Sequence, residues 1–286
     1  MSRRRLALLT PDPQDPLYAT RIRPPEADYR LLFERLNVEV VAHPWVHGAP
    51  RDVDGALASL AWGYHFKLAA FTQMLATWPG DIPLANPPSV LVWNARKTYL
   101  AELNAQGVAT IPTLTPEETD AALIREAFEA FGAEELVIKP LVSAGSHETF
   151  RLARGDIYSG PTRGRMVQPL LTAVAEEGEL SLFYFGGVFS HAVVKRAAHG
   201  DFRVQPQFGA EITTWTPSHE ATALAEAVLA AAPKGIIYAR IDLLRDQKGE
   251  LRLMELEAIE PDLYFAHAPD GGAQFGAAVL AAFGWA

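Results

Sequence analysis

Two short apolar segments carry charged side chains at strand spacing, Arg240 and Asp242 in the first and Glu255 and Glu257 in the second. Because strand side chains alternate between faces, each pair points to one side of its strand. The turn-forming residues 246–249 between the segments predict a hairpin. In the register of a four-residue turn, Arg240 faces Glu255, and Asp242 lies diagonal to Glu255. We therefore expect three carboxylates and one guanidinium to share one patch.

Such a patch is a candidate metal site. Carboxylates this close repel one another unless a cation neutralises them, and hard oxygen donors suit Mg²⁺ or Mn²⁺. Two other interpretations stay open, a solvent-exposed acidic strand face and a paired-carboxylate hydrolase that uses Glu255 and Glu257. The apolar flanking residues and the further acids Glu260 and Asp262 favour the metal site.

Lysines and a small-residue turn supply a candidate anion site. Lys139 ends an apolar strand predicted over residues 136–139, and the turn at residues 143–146 (Ser-Ala-Gly-Ser) could cradle a phosphate with its backbone N–H groups. Lys97 stands near the start of a predicted helix. An ordinary loop beside lysines whose charged ends reach solvent would give the same pattern.

Two more segments could meet a ligand. Residues 166–171 form an apolar strand exit in which Pro169 removes a donor, so the neighbouring backbone groups face solvent, a loop or the edge of a purine. Lys195, Arg196 and Arg203 lie close in sequence. They form either a solvated charge run or an anion-binding group.

The composition excludes several classes of protein. The 286 residues include 25 Lys and Arg against 34 Asp and Glu, a net charge of −9, which argues against nucleic acid as the main partner. The absence of cysteine excludes disulfides, thiol nucleophiles and iron–sulfur clusters. The apolar run at residues 6–9 is too short for a signal peptide, so we expect a soluble cytoplasmic protein that does not bind membranes.

The scaffold that these residues need is predicted as a mixed α/β (α+β) fold. A βαβ-like start comes first, with strands at 6–9 and 38–42 around a helix at 27–36. The further predicted helices are residues 62–77, 97–106, 116–131 and 222–232. The further predicted strands are residues 90–93, 136–139, 150–153, 165–170, 179–185, 188–196, 236–244 and 251–257.

Taken in order, these motifs resemble the ATP-grasp superfamily, and most of all its branch of glutathione synthetases and ligases that add glutamate to a ribosomal protein. The similarity covers about residues 90–265. Its motifs are Asn94 and Lys97, residues 107–113, 137–140, 168–171, 178–179, 195–196, 200–203, Arg240 with Asp242, and Glu255 with Glu257. Residues 62–65 and 255–261 look like the group with the ligase that closes the cycloserine ring.

The resemblance implies an ATP-grasp fold with an N-terminal βαβ-like domain at 1–90, a central, mobile lid subdomain at 91–166 and a C-terminal antiparallel-sheet subdomain at 167–286. It implies an ATP-dependent ligase that forms C–N bonds through an acyl-phosphate on a small amino-acid-like carboxylate, with two Mg²⁺ (or Mn²⁺) ions, and it is compatible with a homodimer. The alternative is a regulatory nucleotide-binding protein without turnover.

The resemblance also implies residue roles. The ATP-binding residues would be Lys97 and Lys139 for the phosphates, Ser143, Gly145 and Ser146 in the phosphate loop, Val167, Gln168, Pro169 and Leu170 against adenine, and Glu179 on the ribose. The metal ligands would be Asp242, Glu255 and Glu257. The catalytic residues would be Arg240, which stabilises the transferred phosphoryl group, with Arg203 and Lys195.

Two positions depart from the family pattern. Glu257 stands where the family usually has Asn, and the loop at 143–148 holds fewer glycines than usual. We expect Glu257 to keep binding Mg²⁺ as an extra negative ligand. Residues that could line a substrate cleft in the first domain are Asp12, Tyr18, Arg21, Arg23, Trp62 and His65. The histidines His43, His47, His65 and His267 do not fall at metal-ligand spacing, and we interpret them as loop or packing residues.

Overall fold

A computed structural model describes residues 3–14, 18, 23–198, 203–204 and 209–286. The first unit is a parallel sheet in the order β2-β1-β3-β4, and β1, helix α1 and β2 form the predicted βαβ start. Its apolar strand β1 is buried, as expected for a strand covered on both faces. The elements are β1 (Arg4–Thr10), α1 (Arg23–Arg35), β2 (Val38–Pro44), β3 (Gly55–Leu57), α2 (Leu68–Ala76) and β4 (Leu84–Ala85).

Two short helices follow, α3 (Pro88–Asn94) and α4 (Tyr99–Ala105). The strand predicted at 90–93 is wrong, because these residues lie inside α3. Pro88 stands in the first turn of α3, where its fixed φ suits a helix and its missing N–H costs nothing. A short apolar run cannot by itself separate a buried strand from a buried helix.

The middle unit is an antiparallel sheet in the order β6-β5-β7, with β5 (Glu135–Pro140), β6 (Phe150–Ala153) and β7 (Arg165–Pro169). Helix α5 (Ala121–Phe131) packs on it through Ile124 and Phe128. The helix begins at Ala121 and not at residue 116 as predicted, because the Asp120 carboxylate accepts the N–H groups of Ala122 and Leu123.

The third unit is an antiparallel sheet in the order β10-β9-β8-β11-β12. Helix α7 packs on one face and α8 on the other, where Phe275 joins Phe33 of α1 and Phe183 of β8 in one core. The elements are α6 (Ala173–Glu176), β8 (Glu179–Phe185), β9 (Val188–Arg196), β10 (Glu211–Thr214), α7 (His219–Ala231), β11 (Tyr238–Arg245), β12 (Leu251–Glu257) and α8 (Ala273–Ala282).

The register of the β11–β12 hairpin differs from the prediction. Arg240 pairs with Glu257, and Asp242 pairs directly with Glu255. Leu243 then pairs with Leu253, so Met254 is the extra residue of a β-bulge. Arg245 pairs with Leu251, so the loop holds five residues instead of four, and this one-residue shift together with the one-residue bulge keeps Glu255 and Glu257 on the face of Arg240 and Asp242. The predicted common face of the three carboxylates and the guanidinium is therefore found, although its pairing was wrong.

In the described part of the chain, no helix has the length and apolarity needed to cross a bilayer.

Candidate active site

Two adjoining cavities lie between the units. The larger has a volume of about 560 Å³ and the smaller about 130 Å³. Their common wall combines lysine, carboxylates and a small-residue loop, namely Lys97, Ser143, Ala144, Gly145, Ser146, Glu179, Val204, Met254, Glu255 and Glu257. The predicted charged motifs thus converge where the two cavities meet.

Arg240 and Asp242 form the centre of the charged face of β11. The Arg240 Nε donates to Asp242 Oδ1 at 3.0 Å, and its Nη2 donates to Asp242 Oδ2 at 3.0 Å and to Glu257. Asp242 also accepts from the Ser181 hydroxyl and, at 3.3 Å, from Lys195 Nζ. Burial alone would raise the pKa of Asp242, but Arg240 and Lys195 hold it at about 2. Asp242 is therefore a fixed anion.

Two lysines pair with the remaining buried carboxylates. Lys97 pairs with Glu255 and also donates to the Ser143 carbonyl at 3.3 Å, which connects β12 to the small-residue loop. Lys195 pairs with Glu179, and both side chains are almost fully buried. Each of these cations lines the larger cavity, where an anionic ligand could exchange with its carboxylate.

Lys139 differs from the other cations. Its side chain is buried at the wall of the smaller cavity, and no described residue forms a hydrogen bond or ion pair with its ammonium group. Burial lowers the pKa of its ammonium group, although Glu255 partly offsets this. A desolvated and unpaired cation of this kind stabilises an anion that enters the cavity.

The carboxylates fit a divalent cation in their chemistry. Among the described residues, no group of three or more His, Asp or Glu is already arranged to hold a metal ion. Lys97, Lys195 and Arg240 pair with four carboxylates, those of Asp242, Glu255, Glu257 and Glu179. Burial, with Glu255 and Asp242, raises the pKa of Glu257 to about 7 even beside Arg240. Oxygen donors are the ligands that Mg²⁺ prefers.

Buried amide groups hold β12 in place. Asn94 donates to the Leu256 carbonyl at 2.7 Å and accepts from the Ala258 N–H at 2.9 Å, and Tyr99 bonds both backbone groups of Leu256 at 3.0 Å. Asn86 donates to the Ala258 carbonyl at 2.8 Å. These side chains replace a neighbouring strand at the edge of the sheet. Asn94, known from the sequence only as part of a motif, therefore positions Glu255 and Glu257.

The smaller cavity is bounded by the strand exit of β7. Gln168, Pro169 and Leu170 line it, and the Leu170 N–H is already bonded to a backbone carbonyl. Val167 does not line either cavity. It lies in the core of the middle unit, and its N–H and C=O both pair with Leu114 at 2.9 Å. Only three of the four residues predicted to lie against adenine therefore line the cavity.

The small-residue loop lies over both cavities. Ser143, Gly145 and Ser146 line them, and Gly145 and Ser146 both have φ of +60°. A left-handed conformation at successive residues turns backbone N–H groups to one side, which suits an anion. The next residue, His147, packs on Phe66 of the first unit with ring centroids 5.0 Å apart.

The bases after β9 separate. Lys195 points into the larger cavity, and Arg203 lines the smaller one. Arg196 is exposed and donates to the Thr213 hydroxyl at 3.2 Å. Residues 200–202 of the motif at 200–203 lie outside the described residues.

The predicted substrate-side residues are only partly brought together. Tyr18, Trp62 and His65 line the larger cavity, whereas Asp12 does not. Arg21 and the Arg23 side chain lie outside the described part. His65 therefore has a place in the site that its interpretation as a packing residue did not include.

Sequence reasoning overlooked several residues of the site. Ser181 bonds Asp242, and Tyr64 and Tyr264 line the larger cavity. Glu260 was noted only as an acid near the hairpin. Alternation along β8 could have indicated Ser181, since Ser181 pairs with Asp242 across the sheet. Tyr64 lies in the motif at residues 62–65 but had no role assigned to it, and no local pattern indicates Tyr264.

Comparisons with known proteins agree with the geometry of the site. No protein-family model matches the sequence. The cycloserine biosynthesis protein DcsG of Streptomyces lavendulae is 29% identical over 217 residues, which are 68% of this chain and 72% of that protein. The solved structure of D-cycloserine synthetase DcsG has a TM-score of 0.81 at 24% identity and covers 98% of this chain and 99% of that one.

A second solved structure shares the architecture. The ATP-grasp ligase PsnB, complexed with a phosphomimetic variant of its minimal precursor, Mg and ADP, has a TM-score of 0.68 at 14% identity over 99% of both chains. The chain has the ATP-grasp fold. The predicted mixed α/β class and the resemblance to ATP-grasp ligases close to the cycloserine-forming group are confirmed. These solved relatives are named a synthetase and a ligase, in agreement with the ATP-dependent ligase that the resemblance implies.

Proposed function

We propose that the protein is an ATP-dependent ligase that activates a small amino-acid-like carboxylate as an acyl-phosphate and transfers the acyl group to an amine. The observation that carries this is the common wall of the two cavities, where buried cations and carboxylates meet. A nucleotide in the smaller cavity would direct its phosphates to this wall, and a substrate in the larger cavity would reach it from the other side. The ATP-grasp ligases among the relatives support the proposal.

For ATP, we assign adenine to the smaller cavity, against Gln168, Pro169 and Leu170. Lys139 at the wall of that cavity, with Lys97 beside it, would take the phosphates, and the loop at Ser143, Gly145 and Ser146 would cover them. Glu179 keeps its proposed contact with the ribose, for which it would have to share its pairing with Lys195. Val167 would support this surface only from behind, because its backbone bonds to Leu114.

Asp242, Glu255 and Glu257 would hold Mg²⁺, and we propose two ions by analogy with the superfamily. A bound Mg²⁺ would neutralise phosphate charge, and Lys97 and Arg240 would then share Glu255 and Glu257 with it. The relative solved with Mg and ADP supports the use of both ligands. Glu257, in place of the usual Asn, would add a carboxylate to the ligands, and burial with Glu255 and Asp242 raises its pKa to about 7.

The residues of the chain act here by position and charge. Arg240, held by Asp242 on one side of its guanidinium, would stabilise the charge that develops on the transferred phosphoryl group and on the acyl-phosphate. Lys195 and Arg203 would meet the phosphate or the acceptor carboxylate. Aligned reactants need little proton transfer from the protein in the phosphoryl step.

Water must be excluded because an acyl-phosphate hydrolyses. The middle unit, with its loop already touching the first unit at His147 and Phe66, is the proposed lid. We retain the division into residues 1–90, 91–166 and 167–286 as a proposal, together with a homodimer, a cytoplasmic location, and no nucleic-acid or membrane partner.

The test is ADP release from MgATP with a panel of amino acids of both configurations and their 2-hydroxy acids. We expect at least one carboxylate to stimulate release and to yield an amide when an amine is present. MgATP binding without stimulation by any carboxylate would instead indicate a regulatory nucleotide-binding protein. A hydrolase that works without nucleotide would show no MgADP binding that Lys139→Ala abolishes.

A further inference from the structure

Glu260 has a different surrounding from the other acids of the site. Asp242, Glu255, Glu257 and Glu179 each pair with a lysine or an arginine. Glu260 also lines the larger cavity and is partly buried, yet within the described chain no donor or cation bonds its carboxylate. A buried carboxylate without a partner is costly, so it requires either a proton or a cationic ligand.

The backbone around Glu260 is fixed, although its side chain is not. The Trp62 indole donates to the Glu260 carbonyl at 3.2 Å, and the Tyr238 hydroxyl donates to the Ile259 carbonyl at 2.8 Å. Arg240 Nη1 donates to the Asp262 carbonyl at 3.3 Å. Two separate parts of the chain, the Trp62 segment and strand β11, therefore hold this segment at the cavity wall. A carboxylate on such a segment is preorganised for a ligand.

The surroundings of Glu260 suit an organic cation. Trp62, Tyr64 and Tyr264 line the same cavity, and aromatic faces beside a carboxylate attract ammonium groups. Burial raises the pKa of the Tyr64 hydroxyl, and the charge of Glu260 raises it further. Lys195 and Arg240 line the cavity too, so the cavity offers both an anionic and a cationic side.

Resting on the proposed ligase function, we propose that Glu260 is the counter-ion for an ammonium group of the substrate, with Trp62 and Tyr64 beside it. The substrate carboxylate would face Arg240 and Lys195, and the ammonium group would face Glu260. A substrate with both groups satisfies the two sides of the cavity together. Glu260 is thus a specificity-determining residue that takes no part in phosphoryl transfer.

The test compares Glu260→Gln with the unchanged protein on matched substrates. The probe pair is the amino acid that gives the greatest ADP release in the panel and the 2-hydroxy acid of the same carbon skeleton. We expect Glu260→Gln to lower kcat/KM for the amino acid about 10²-fold, mostly through KM, and to leave the hydroxy acid within about twofold. MgADP affinity should stay unchanged, and the midpoint of thermal unfolding should rise or stay the same, because a buried charge without a partner is removed.

Asp262→Asn is the matched control. Asp262 lines the same cavity, but its side chain is exposed and its carboxylate already accepts the Tyr264 N–H at 3.1 Å. We expect no selective loss with the amino acid in this variant. A selective loss in Asp262→Asn and not in Glu260→Gln would overturn the assignment.

Other outcomes separate this proposal from the proposed function. Equal losses with the amino acid and the hydroxy acid in Glu260→Gln, accompanied by a higher Mg²⁺ requirement, would make Glu260 a metal-site residue and overturn the proposal. Stimulation only by carboxylates that lack an amine would also overturn it, while the ligase function would stand. No stimulation by any carboxylate would contradict the ligase function itself.

Discussion

The charged face of β11 and β12 and the wall that the first unit contributes to the larger cavity differ in how their polar groups are partnered. On the strands, Arg240 and Asp242 satisfy each other through several hydrogen bonds. On the wall, the buried His65 Nδ1 has no partner in the described part of the chain, and Glu260, which the wall residue Trp62 holds by its backbone, has none for its carboxylate. A hydrogen-bond network in which every group has a partner fixes the positions of its side chains, whereas a polar group without a partner can still bind a ligand.

This difference suggests a division of labour. The strand face would carry the chemistry common to the superfamily, and its charges are held in place before any ligand enters. The wall would select the substrate, since a group left without a partner discriminates strongly between ligands that satisfy it and ligands that do not. Variants on the strands and on the wall should therefore fail in different ways.

The largest effect is expected from Asp242→Asn on the strand face. The amide keeps the shape but removes the charge that orients Arg240 and that we propose as a metal ligand. We expect the rate of ADP release to fall about 10³-fold while MgADP affinity changes far less, because charge stabilisation matters most in the transition state. Ser181→Ala, which removes only one hydrogen bond to Asp242, is the milder control. An unchanged rate in Asp242→Asn would show that the metal assignment is wrong.

The second largest effect is expected at Asn94, whose side chain holds β12 in place. Asn94→Ala leaves the Leu256 carbonyl and the Ala258 N–H without their partners in a buried place. We expect the free energy of unfolding to fall by about 2–4 kcal/mol, since each unsatisfied buried group costs about 1–3 kcal/mol. Denaturant titration measures it, with Asn104→Ala on the exposed side of α4 as the control. Equal stability of the two variants would contradict the proposed role of Asn94 in holding β12.

The charged face of β11 and β12 could be predicted from the sequence in part. Alternation along two apolar segments predicted that Arg240 and Asp242 share a face with Glu255 and Glu257. The pairing was wrong because the loop holds five residues instead of four, with Arg245 opposite Leu251, and because Met254 forms a bulge. Patterns of period two record faces, but a bulge depends on the whole sheet.

Much less of the wall that the first unit contributes to the larger cavity could be predicted from the sequence. Trp62 and His65 stood out as candidates, but the position of Glu260 beside Trp62 joins segments 198 residues apart in sequence. No periodicity records such a contact, because it arises only when the first unit packs against the five-stranded sheet. The misassigned strand at residues 90–93 has a similar cause, since burial on one side looks alike for a helix and a strand in a short run.

A third variant separates ligand binding from stability at the smaller cavity. Lys139→Met removes a buried cation whose pKa burial already lowers. We expect MgADP affinity to fall about 10–100-fold, because hydrogen bonds to charged groups contribute about 1.5–3 kcal/mol. The midpoint of thermal unfolding without nucleotide should rise or stay the same, since a desolvated charge is lost. Lys248→Met, in an exposed turn, should change neither, and a loss of stability in Lys139→Met would indicate a structural role instead.

The smallest effect distinguishes a satisfied histidine from an unsatisfied one. Burial lowers the pKa of His191 to about 4, although its hydrogen bond to the Leu263 carbonyl opposes this. Burial, with His147 and Lys97, also lowers the pKa of His65 to about 4. Because the unfolded chain binds these protons near pH 6.5 and the folded chain only near pH 4, stability is complete above pH 6.5.

Stability should then decrease as the pH falls from 6.5 towards 4, and no further loss from these groups is expected below that. His191→Gln should flatten the profile but lower stability at neutral pH, because it breaks the stacking of the imidazole on Phe183 at 4.2 Å. His65→Gln should flatten the profile without that loss, since the buried Nδ1 has no partner among the described residues. Chemical unfolding across this pH range measures both, and identical behaviour of the two variants would remove the distinction between a satisfied and an unsatisfied histidine.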